Sequence, residues 1–557
     1  MGIWHWLERH ALALLGVVTS AVLIVLFYFP VAIVFADAGG VDAFSAVLTD
    51  RFYVNEIFAF TAWQAFLSTL ASVALGLPGA YILSRYEFPG RRTIRSLTIV
   101  PFVMPSILVA IGFVAMFGQR GLLNDLLGVV GVGPYSLLYN LPAIIVAHAF
   151  YNAPLVARIT NAAWESVDAR EVETARSLGA SRFRAFRDVL IPQLLPAILT
   201  GALLTFIFTF MSFPIVLALG GFEFQTVEVW IYALVRDLDY SEAAVLAVLE
   251  TSLSLVLTYG YLRYEARQTA ATRANRPLAR KRVFSGVDSS TESLERVGVL
   301  VYSAVVIVVF VGPLLSTVLE SVTGPSGFTL RYYEFLVTRQ ISGASFQTKP
   351  GVAVQNSLVF GLGTLLVALP MGVVIAVLSR TWDSRLIEAV AMAPLAVSGV
   401  MVGLGMLRGL VFGVPVAGTR VQVSGAIAIV AAHAVAAYPF VTRNVAPMLS
   451  GIDPRMVESA RALGATRFRS LVDIELPLVA VGLAAGAAFA FAISIGEFDS
   501  TVILATGSSS YTMPVAVERY LGNRTLGPAT AMGTVLLAVT AASFIVIDRL
   551  GGRWENG

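Results

Sequence analysis

Two acidic residues, Glu497 and Asp499, stand inside a long apolar stretch of the sequence, on either side of Phe498. A carboxylate within such a stretch is costly to bury and usually faces a protein interior or a water-filled cavity. The pair could contact a polar solute there. Alternatively, Glu497 could accept hydrogen bonds from backbone N–H groups at a chain break around Gly496. The corresponding place earlier in the chain has the uncharged Ser212, so the acidic pair is an asymmetric feature.

The sequence has few other groups for catalysis or metal binding. It contains no cysteine, and its four histidines do not form a ligand-spaced pair such as H-E-x-x-H. We interpret His148 and His433 as polar contacts between helices. The only lysines, Lys281 and Lys349, stand in Arg-Lys-Arg and Thr-Lys-Pro, whereas a phosphate-binding P-loop needs Gly-Lys-Ser/Thr. We therefore expect no metal site, no bound cofactor, no ATP site and no enzyme activity in this chain.

The composition indicates a chain embedded in lipid. Of the 557 residues, 57% are hydrophobic and 13% are charged, and the mean hydropathy is +0.79. A soluble domain has about 25% charged residues. Twelve apolar segments are about long enough to cross a bilayer, which predicts an all-α integral membrane protein. These segments are 11–36, 59–84, 97–118, 141–159, 194–219, 241–262, 297–319, 354–378, 387–411, 423–442, 478–505 and 527–547.

Charge placement predicts the orientation and the domain organisation. Most of the 38 Lys and Arg residues fall on one side of the twelve spans, together with both termini, and the positive-inside rule makes this side cytoplasmic. The segment 263–296 is polar and basic, which is typical of a linker that does not order itself. We therefore predict a first six-span half at 1–262, a cytoplasmic linker at 263–296 and a second six-span half at 297–557.

The two halves contain an internal repeat. The sequence of residues 172–193, VETARSLGASRFRAFRDVLIPQ, corresponds to VESARALGATRFRSLVDIELPL at 457–478, with twelve of 22 positions identical. His148 and His433 fall at the same offset of 285 residues, and Phe213 matches Phe498. Because each half has an even number of spans, the repeats are parallel and are related by an axis along the membrane normal.

Each repeated segment predicts a short helix–turn–helix between two spans. In the first copy Asp168 is placed to cap a helix, with Glu171 positioned to complete a capping box. Gly179 then ends this helix in a left-handed conformation, and Ser181 caps a second helix. The corresponding residues of the second copy are Asp453, Gly464 and Thr466.

Two such loops on the cytoplasmic side are typical of docking elements. Small residues allow another backbone to approach closely, and an acidic residue adds charge at the helix surface. The candidate docking residues are Glu173, Ala175 and Gly179 in the first loop and Glu458, Ala460 and Gly464 in the second. The alternative is that both loops are ordinary capped surface helices that hold adjacent spans together.

These loops resemble a known family signature. The pattern E-A-A, three residues, G, nine residues, I-x-x-L-P is found in permeases of binding-protein-dependent ABC importers. Here it stands as Glu173-Thr174-Ala175, Gly179 and Ile191-Pro192, and again as Glu458-Ser459-Ala460, Gly464 and Leu476-Pro477. The resemblance implies a fused two-half permease in the plasma membrane whose loops couple to a separate ABC ATPase, with two copies of that subunit. It also implies an extracytoplasmic substrate-binding protein and ATP used only by the partner subunit.

The resemblance extends to the substrate. The stretches at 213–221 and 226–234 look like those of fused thiamine permeases, whereas Ser494-Ile495-Gly496-Glu497-Phe498 is similar to both thiamine and ferric-iron permeases. Thiamine is therefore the first choice and ferric iron the next. A single-chain secondary transporter is an alternative, because it also tolerates parallel six-span halves. A membrane-embedded enzyme would need a convergent catalytic cluster, and we find none in the sequence.

Overall fold

A computed structural model describes residues 3–97, 104–221, 223–268, 278–282, 290–338, 348–380, 385–522 and 525–555. In these ranges the chain is helical apart from three short pairs of strands and the connecting turns. The prediction of an all-α membrane protein is confirmed.

The helices follow one another in two series. The first half contains α1 (Ile3–Leu23), α2 (Phe29–Asp37), α3 (Val41–Thr49), α4 (Ala59–Arg85), α5 (Arg91–Leu97), α6 (Ser106–Phe117), α7 (Leu122–Val129), α8 (Leu141–Glu165), α9 (Ala169–Ser177), α10 (Arg182–Ala185), α11 (Ile191–Phe210), α12 (Pro214–Leu219), α13 (Val227–Arg236) and α14 (Tyr240–Gln268). The second half contains α15 (Ser290–Val306), α16 (Gly312–Ser321), α17 (Arg331–Thr338), α18 (Pro350–Ser379), α19 (Arg385–Met392), α20 (Gly399–Met406), α21 (Gly425–Ser450), α22 (Pro454–Ala462), α23 (Arg467–Ser470), α24 (Leu476–Leu478), α25 (Ala480–Gly496), α26 (Asp499–Leu504), α27 (Met513–Leu521) and α28 (Gly527–Glu555).

Short π-helical and 3₁₀ segments and strands complete the described structure. The π segments are Ile24–Tyr28, Phe52–Phe58, Phe186–Leu190, Ile307–Val311, Leu407–Val411 and Leu471–Glu475, and the 3₁₀ segment is Ala393–Ala396. The strands are β1 (Tyr86–Glu87), β2 (Lys281–Arg282), β3 (Thr323–Gly324), β4 (Gly327–Phe328), β5 (Val414–Val416) and β6 (Thr419–Val421).

The twelve predicted spans do not all appear as continuous membrane-length helices. Among the described residues, nine helices are long and apolar enough to cross a bilayer. Two further spans are pairs of helices, one bent by 96° between Ala396 and Gly399 and the other by 80° between Leu478 and Ala480. The last predicted span corresponds to a shorter apolar helix, Gly527–Ser543. Hydropathy finds these segments but does not distinguish a straight helix from a bent one, because bending leaves the composition unchanged.

The two halves pack in the same way. In the first half α4 packs along α8, and α11 packs against both. In the second half α18 packs along α21, and α25 packs against both. Each half therefore has a three-helix core built from corresponding spans, as the internal repeat predicts.

The first span of each half packs against the other half. Helix α2 packs against α20, where a Cβ atom added at Gly405 would lie 2.6 Å from the carbonyl oxygen of Pro30. Helix α16 packs against α6, where a Cβ added at Gly112 would lie 2.9 Å from the carbonyl oxygen of Pro313. The two glycines allow these backbones to touch, so the halves are interlocked by a reciprocal exchange of their first spans.

Part of the linker is ordered, although its polar and basic composition predicted a segment that does not order itself. Helix α14 continues to Gln268, and β2 pairs in parallel with β1 at the end of α4. Arg280 lies 3.0 Å from Glu165 at the end of α8, and Glu165 also binds Arg91 and Arg95, each at 3.1 Å. The basic residue in the linker thus has an acidic partner on the first half, which composition alone does not reveal.

Candidate functional site

Both repeated loops form the predicted helix–turn–helix. The carboxylate of Asp168 accepts a hydrogen bond from the Arg170 N–H at 2.9 Å at the start of α9. The Asp453 carboxylate accepts one from the Arg455 N–H at 3.0 Å at the start of α22. The second short helix of each loop, α10 or α23, is capped by the hydroxyl of Ser181 or Thr466. The caps satisfy N–H groups that would otherwise lack a partner at these helix starts.

Left-handed glycines end the first helix of each loop. The φ angle is +92° at Gly179 and +95° at Gly464. Beyond each glycine the next N–H donates back to the carbonyl oxygen of Ala175 or Ala460 at 3.0 Å, which closes a Schellman-type turn. A Cβ added at either glycine would meet nothing within 4 Å, so the surface around both turns is open.

An exposed leucine precedes each glycine, and the sequence analysis missed it. Leu178 is 83% exposed and Leu463 is 90% exposed. They stand at the repeat offset of 285 residues, on the same loops as the exposed side chains of Glu173 and Glu458. Each loop tip thus presents one large apolar side chain that a binding partner could cover. The signal in the sequence was the Leu-Gly pair common to both copies.

The capping box predicted at Glu171 is not the contact that the structure contains. Instead, the Glu171 carboxylate accepts a hydrogen bond from Gln193 Nε2 at 2.6 Å, which ties α9 to the start of α11. The second loop is anchored differently. Buried Glu475 lies 3.3 Å from Arg380 and 2.9 Å from Arg467, so one carboxylate joins the end of α18 to α23.

The candidate path residues lie at matching breaks in two spans. Helix α11 ends at Phe210 and the chain resumes as α12 at Pro214, with Ser212 in the gap. Helix α25 ends at Gly496 and resumes as α26 at Asp499, with Glu497 in the gap. Both predicted spans, 194–219 and 478–505, are therefore broken short of their predicted ends. Backbone breaks at membrane depth are tolerated where protein or a cavity surrounds them.

In the second half, Glu497 is held by several hydrogen-bonding groups. The Ser500 N–H donates to Glu497 Oε1 at 2.8 Å, and the Thr501 N–H donates to Oε2 at 3.1 Å. The Thr501 hydroxyl also donates to this carboxylate, and His433 Nε2 lies 3.1 Å from Oε2. These contacts are the ones expected for a structural role at the break after Gly496.

His433 and His148 occupy equivalent positions between spans. His433 Nδ1 lies 2.7 Å from Ser494 Oγ. In the first half, His148 Nδ1 lies 3.0 Å from Ser68 Oγ, and His148 Nε2 lies 2.9 Å from Ser212 Oγ. Each histidine thus connects its own span to the broken span that follows it in the same half. Ser212 is the partner of His148 in the first half, as Glu497 is the partner of His433 in the second.

The two halves meet at a pair of matched phenylalanines. The rings of Phe213 and Phe498 stack with their centroids 5.6 Å apart and their planes 20° apart, and both side chains are buried. Next to them, a Cβ added at Gly496 would lie 2.9 Å from Cγ of Pro105 in the first half. The repeat pairing of Phe213 with Phe498, inferred from the sequence, is therefore also a direct contact across the interface between the halves.

Comparison with known families assigns the chain. The family described as "Binding-protein-dependent transport system inner membrane component" matches residues 72–268 and 368–556, which is one match in each half. The chain belongs to this family. It is a permease of the ABC importer type and a multi-pass protein of the plasma membrane, as the loop signature implied.

Relatives of the permease extend over nearly its whole length. The thiamine transport system permease protein of Escherichia coli is 27% identical over 532 residues, covering 92% of each chain. The protein of the same name from Haemophilus influenzae is 26% identical and covers 96% of this chain and 95% of its own. A probable ABC transporter permease protein of Sinorhizobium fredii is 24% identical over 88% of this chain and 86% of its own.

Among solved structures, a chain of a bacterial ABC transporter involved in the import of the acidic polysaccharide alginate is 17% identical, with a TM-score of 0.40. It covers 49% of the permease and 99% of its own length. A chain of the alginate transporter in complex with a pentasaccharide-bound periplasmic protein is 18% identical, with a TM-score of 0.37 and the same coverage.

Two buried carboxyl groups of the permease were not recognised as prominent features from its sequence. Glu228 on α13 is fully buried, and Glu250 on α14 is 1% exposed. Glu250 stands in the apolar predicted span 241–262, where a carboxyl group is unusual. Glu228 had no such signal, since it lies in a mixed stretch whose burial depends on the packing of the two halves.

Proposed function

We propose that this permease imports thiamine and is driven by ATP that a separate subunit hydrolyses while bound to the two cytoplasmic loops. Membership of the binding-protein-dependent family supports import with the help of a substrate-binding protein. The proposal assigns ATP binding entirely to the partner subunit, in agreement with the absence of a P-loop from the sequence. No cofactor is then required by this chain.

One observation carries the coupling part of the proposal. The two loops have the same capped helix, the same left-handed glycine and the same exposed leucine at matching positions. A single exposed apolar side chain is common on protein surfaces, but its recurrence at the same position of both loops fits a shared kind of binding partner. We assign Glu173, Ala175 and Gly179, with Leu178, to one docking surface, and the corresponding residues to the other. Two loops imply two copies of the ATPase subunit.

The proposed topology follows from the charge distribution. Both termini and both docking loops are placed in the cytoplasm because most arginines fall on that side. The first half, 1–262, and the second half, 297–557, each include one docking loop, and 263–296 connects them in the cytoplasm. The first family match, 72–268, ends six residues into this connection, and the second, 368–556, lies within the second half.

Thiamine is proposed as the substrate because several relatives that cover most of the chain are thiamine permeases. Ferric iron remains the second candidate, since the sequence around Glu497 is similar to permeases of both types. We place Ser212, Glu497 and Asp499 along the route of the substrate. Their positions at two broken spans, beside the contact between the halves, support this assignment.

The substrate is tested by measuring uptake of labelled thiamine and labelled ferric iron in cells with and without this gene. We expect the gene to be required for thiamine uptake, and uptake to persist when the proton gradient is collapsed while ATP is maintained. Loss of iron uptake alone would identify ferric iron as the substrate in place of thiamine and would leave the ATP-driven mechanism unchanged. Thiamine uptake that follows the proton gradient instead of ATP would favour a secondary transporter.

The coupling loops are tested in the same cells with Gly464→Asp and Gly179→Asp. An aspartate at the open turn should block close approach of the ATPase, so we expect uptake to fall at least about tenfold with normal membrane insertion. Gly418→Asp is a matched control. Gly418 also has a positive φ, +82°, and no atom within 4 Å of an added Cβ, but it lies in the turn between β5 and β6 on the predicted outer side. Equal uptake by Gly464→Asp and the control would contradict docking at this loop.

A further inference from the structure

Two carboxyl groups buried in the membrane region have no hydrogen-bonding partner among the residues that the structure describes. Glu228 is 0% exposed and Glu250 is 1% exposed. None of their four carboxyl oxygens is hydrogen-bonded to any of the described residues. The two side chains are neighbours, with Ser398 of the second half beside Glu228. A buried carboxylate without a partner is strongly unfavourable, so the pair requires either protons or a cation from outside the described residues.

A third carboxyl group approaches the pair from the other half. Asp499, at the start of α26, has both Glu497 and Glu228 among its electrostatic neighbours. It packs against the start of α20, where a Cβ added at Gly399 would lie 2.6 Å from Cβ of Asp499. Glu497 already has donors around it, as described above. The carboxyl oxygens that lack donors among the described residues are therefore those of Glu228 and Glu250. Asp499 adds a third acidic group next to them.

Aromatic rings border the same region. Tyr232 stands four residues after Glu228 on α13, so both side chains project from the same face of this helix. The Tyr232 ring is edge-on to Phe213 with a centroid distance of 5.2 Å, and Phe213 stacks on Phe498. The Tyr232 hydroxyl is also buried without a hydrogen-bonding partner among the described residues. Carboxyl groups and aromatic faces from both halves thus converge at one place.

We propose that Glu228, Glu250, Asp499, Tyr232, Phe213 and Phe498, the carboxylate–aromatic cluster, form a binding site for an aromatic organic cation inside the membrane. The carboxylates neutralise the positive charge of the ligand, and the rings stack on its flat faces or bind it through cation–π contacts. Neither kind of residue alone selects this ligand, since carboxylates accept any cation and rings accept any flat apolar group.

The proposed site has to open before it can admit a ligand. A flat ring cannot enter between Phe213 and Phe498 while their centroids are 5.6 Å apart, so these side chains must separate as the halves move. The inference deepens the proposed function and rests on it, because thiamine consists of a positively charged thiazolium ring joined to a pyrimidine ring. The cluster supplies recognition in the membrane in addition to that of the external binding protein.

The test compares thiamine uptake by Glu228→Gln and Glu250→Gln with uptake by the unmodified permease, each assembled with its ATPase and binding protein. Glutamine keeps the shape of the side chain and removes its charge, so neither variant leaves an additional unpaired charge in the interior. We expect uptake at limiting thiamine to fall at least about tenfold, with unchanged ATP hydrolysis by the assembled complex. Glu242→Gln is the control, because it makes the same change two turns before Glu250 on α14.

The outcomes separate the inference from the function on which it rests. Absence of thiamine uptake by the unmodified permease would overturn the proposed substrate, and this inference with it. Thiamine uptake that both glutamine variants retain in full would overturn the inference alone and leave a protonated structural pair. A fall in the Glu242→Gln control as large as in the variants would also count against it.

A second measurement does not depend on how well the variants fold. Millimolar 1-benzylpyridinium should raise the unfolding temperature of the purified, unmodified permease, because this compound has a cationic ring and a second aromatic ring. The uncharged 4-benzylpyridine, at pH 8, has nearly the same shape and should raise it less. Equal effects of the two compounds would overturn a site that recognises the charge.

Discussion

At the scale of single residues, one exchange distinguishes the centres of the two halves. Ser212 and Glu497 stand at equivalent positions and each contacts the equivalent histidine, at 2.9 Å from His148 and 3.1 Å from His433. Glu497 additionally accepts hydrogen bonds from the N–H groups at the start of α26. The second half therefore contributes an acidic group to the interface where the first half contributes a neutral one, while the local fold is the same in both.

The glycines at the exchanged spans yield a prediction at this scale. Gly405→Ala places a Cβ 2.6 Å from the carbonyl oxygen of Pro30, and backbone cannot move aside cheaply. We expect a loss of about 1–3 kcal/mol, as for other overpacked sites, seen as a lower unfolding temperature of the detergent-purified permease.

The control for this prediction is Gly260→Ala on α14. A Cβ there would meet nothing within 4 Å, so alanine should be neutral or slightly stabilising through its helix propensity. If the two variants unfolded at the same temperature, the close contact between α2 and α20 would not contribute to stability.

At the scale of elements, the linker is attached to the first half by ion pairs as well as by two strand residues. Glu165 is 25% exposed and lies within 3.1 Å of Arg91, Arg95 and Arg280. A single exposed ion pair contributes little, but several cations around one partly buried carboxylate form a network. The network brings β2 close to the start of the first docking loop, since α9 follows α8 directly.

Glu165→Gln should release this attachment. Trypsin cuts after arginine and lysine, and cleavage follows the population in which the segment is detached. We expect cleavage at residues 280–282 to become about threefold to tenfold faster, as gel electrophoresis and mass spectrometry would show. Glu87→Gln is the control, because its contact with Arg280 is longer, at 3.9 Å. Identical cleavage of both variants and the unmodified chain would mean that the strand pairing alone holds the linker.

At the scale of the whole molecule, the halves are joined twice over. The covalent connection runs through the linker, while the exchanged spans, α2 on α20 and α16 on α6, hold each half against the other. Tyr302 adds a hydrogen bond of 2.8 Å to the carbonyl oxygen of Leu75, and Arg408 lies 2.6 Å from Asp37. Because of these contacts, we expect the halves to stay together without the linker.

A chain divided between Gln268 and Leu278 should therefore still assemble. When the two pieces are produced in the same cells and only the first has an affinity tag, we expect the second to co-purify in mild detergent at near-equal amounts. Removal of residues 1–50 from the first piece should lower this recovery severalfold, because α2 is then lost. Failure of the intact pieces to co-purify would contradict the proposed role of the exchange.

The sequence by itself determined the features that depend on near neighbours. The membrane class followed from composition, and the family followed from the doubled loop. The caps at Asp168 and Asp453 and the left-handed turns at Gly179 and Gly464 involve groups within a few residues of each other, so their pattern is readable without a tertiary fold. The repeat match of Phe213 with Phe498 was also visible in the sequence, whereas the stacking of their rings was not.

Only the tertiary structure decided which distant groups meet. The bends in two spans and the exchange of the first spans depend on packing between helices hundreds of residues apart, which hydropathy does not record. Glu228 illustrates the reason. Its neighbours Glu250, Ser398 and Asp499 come from α14 and from the other half, so its burial and its missing partner arise only once both halves have closed around it.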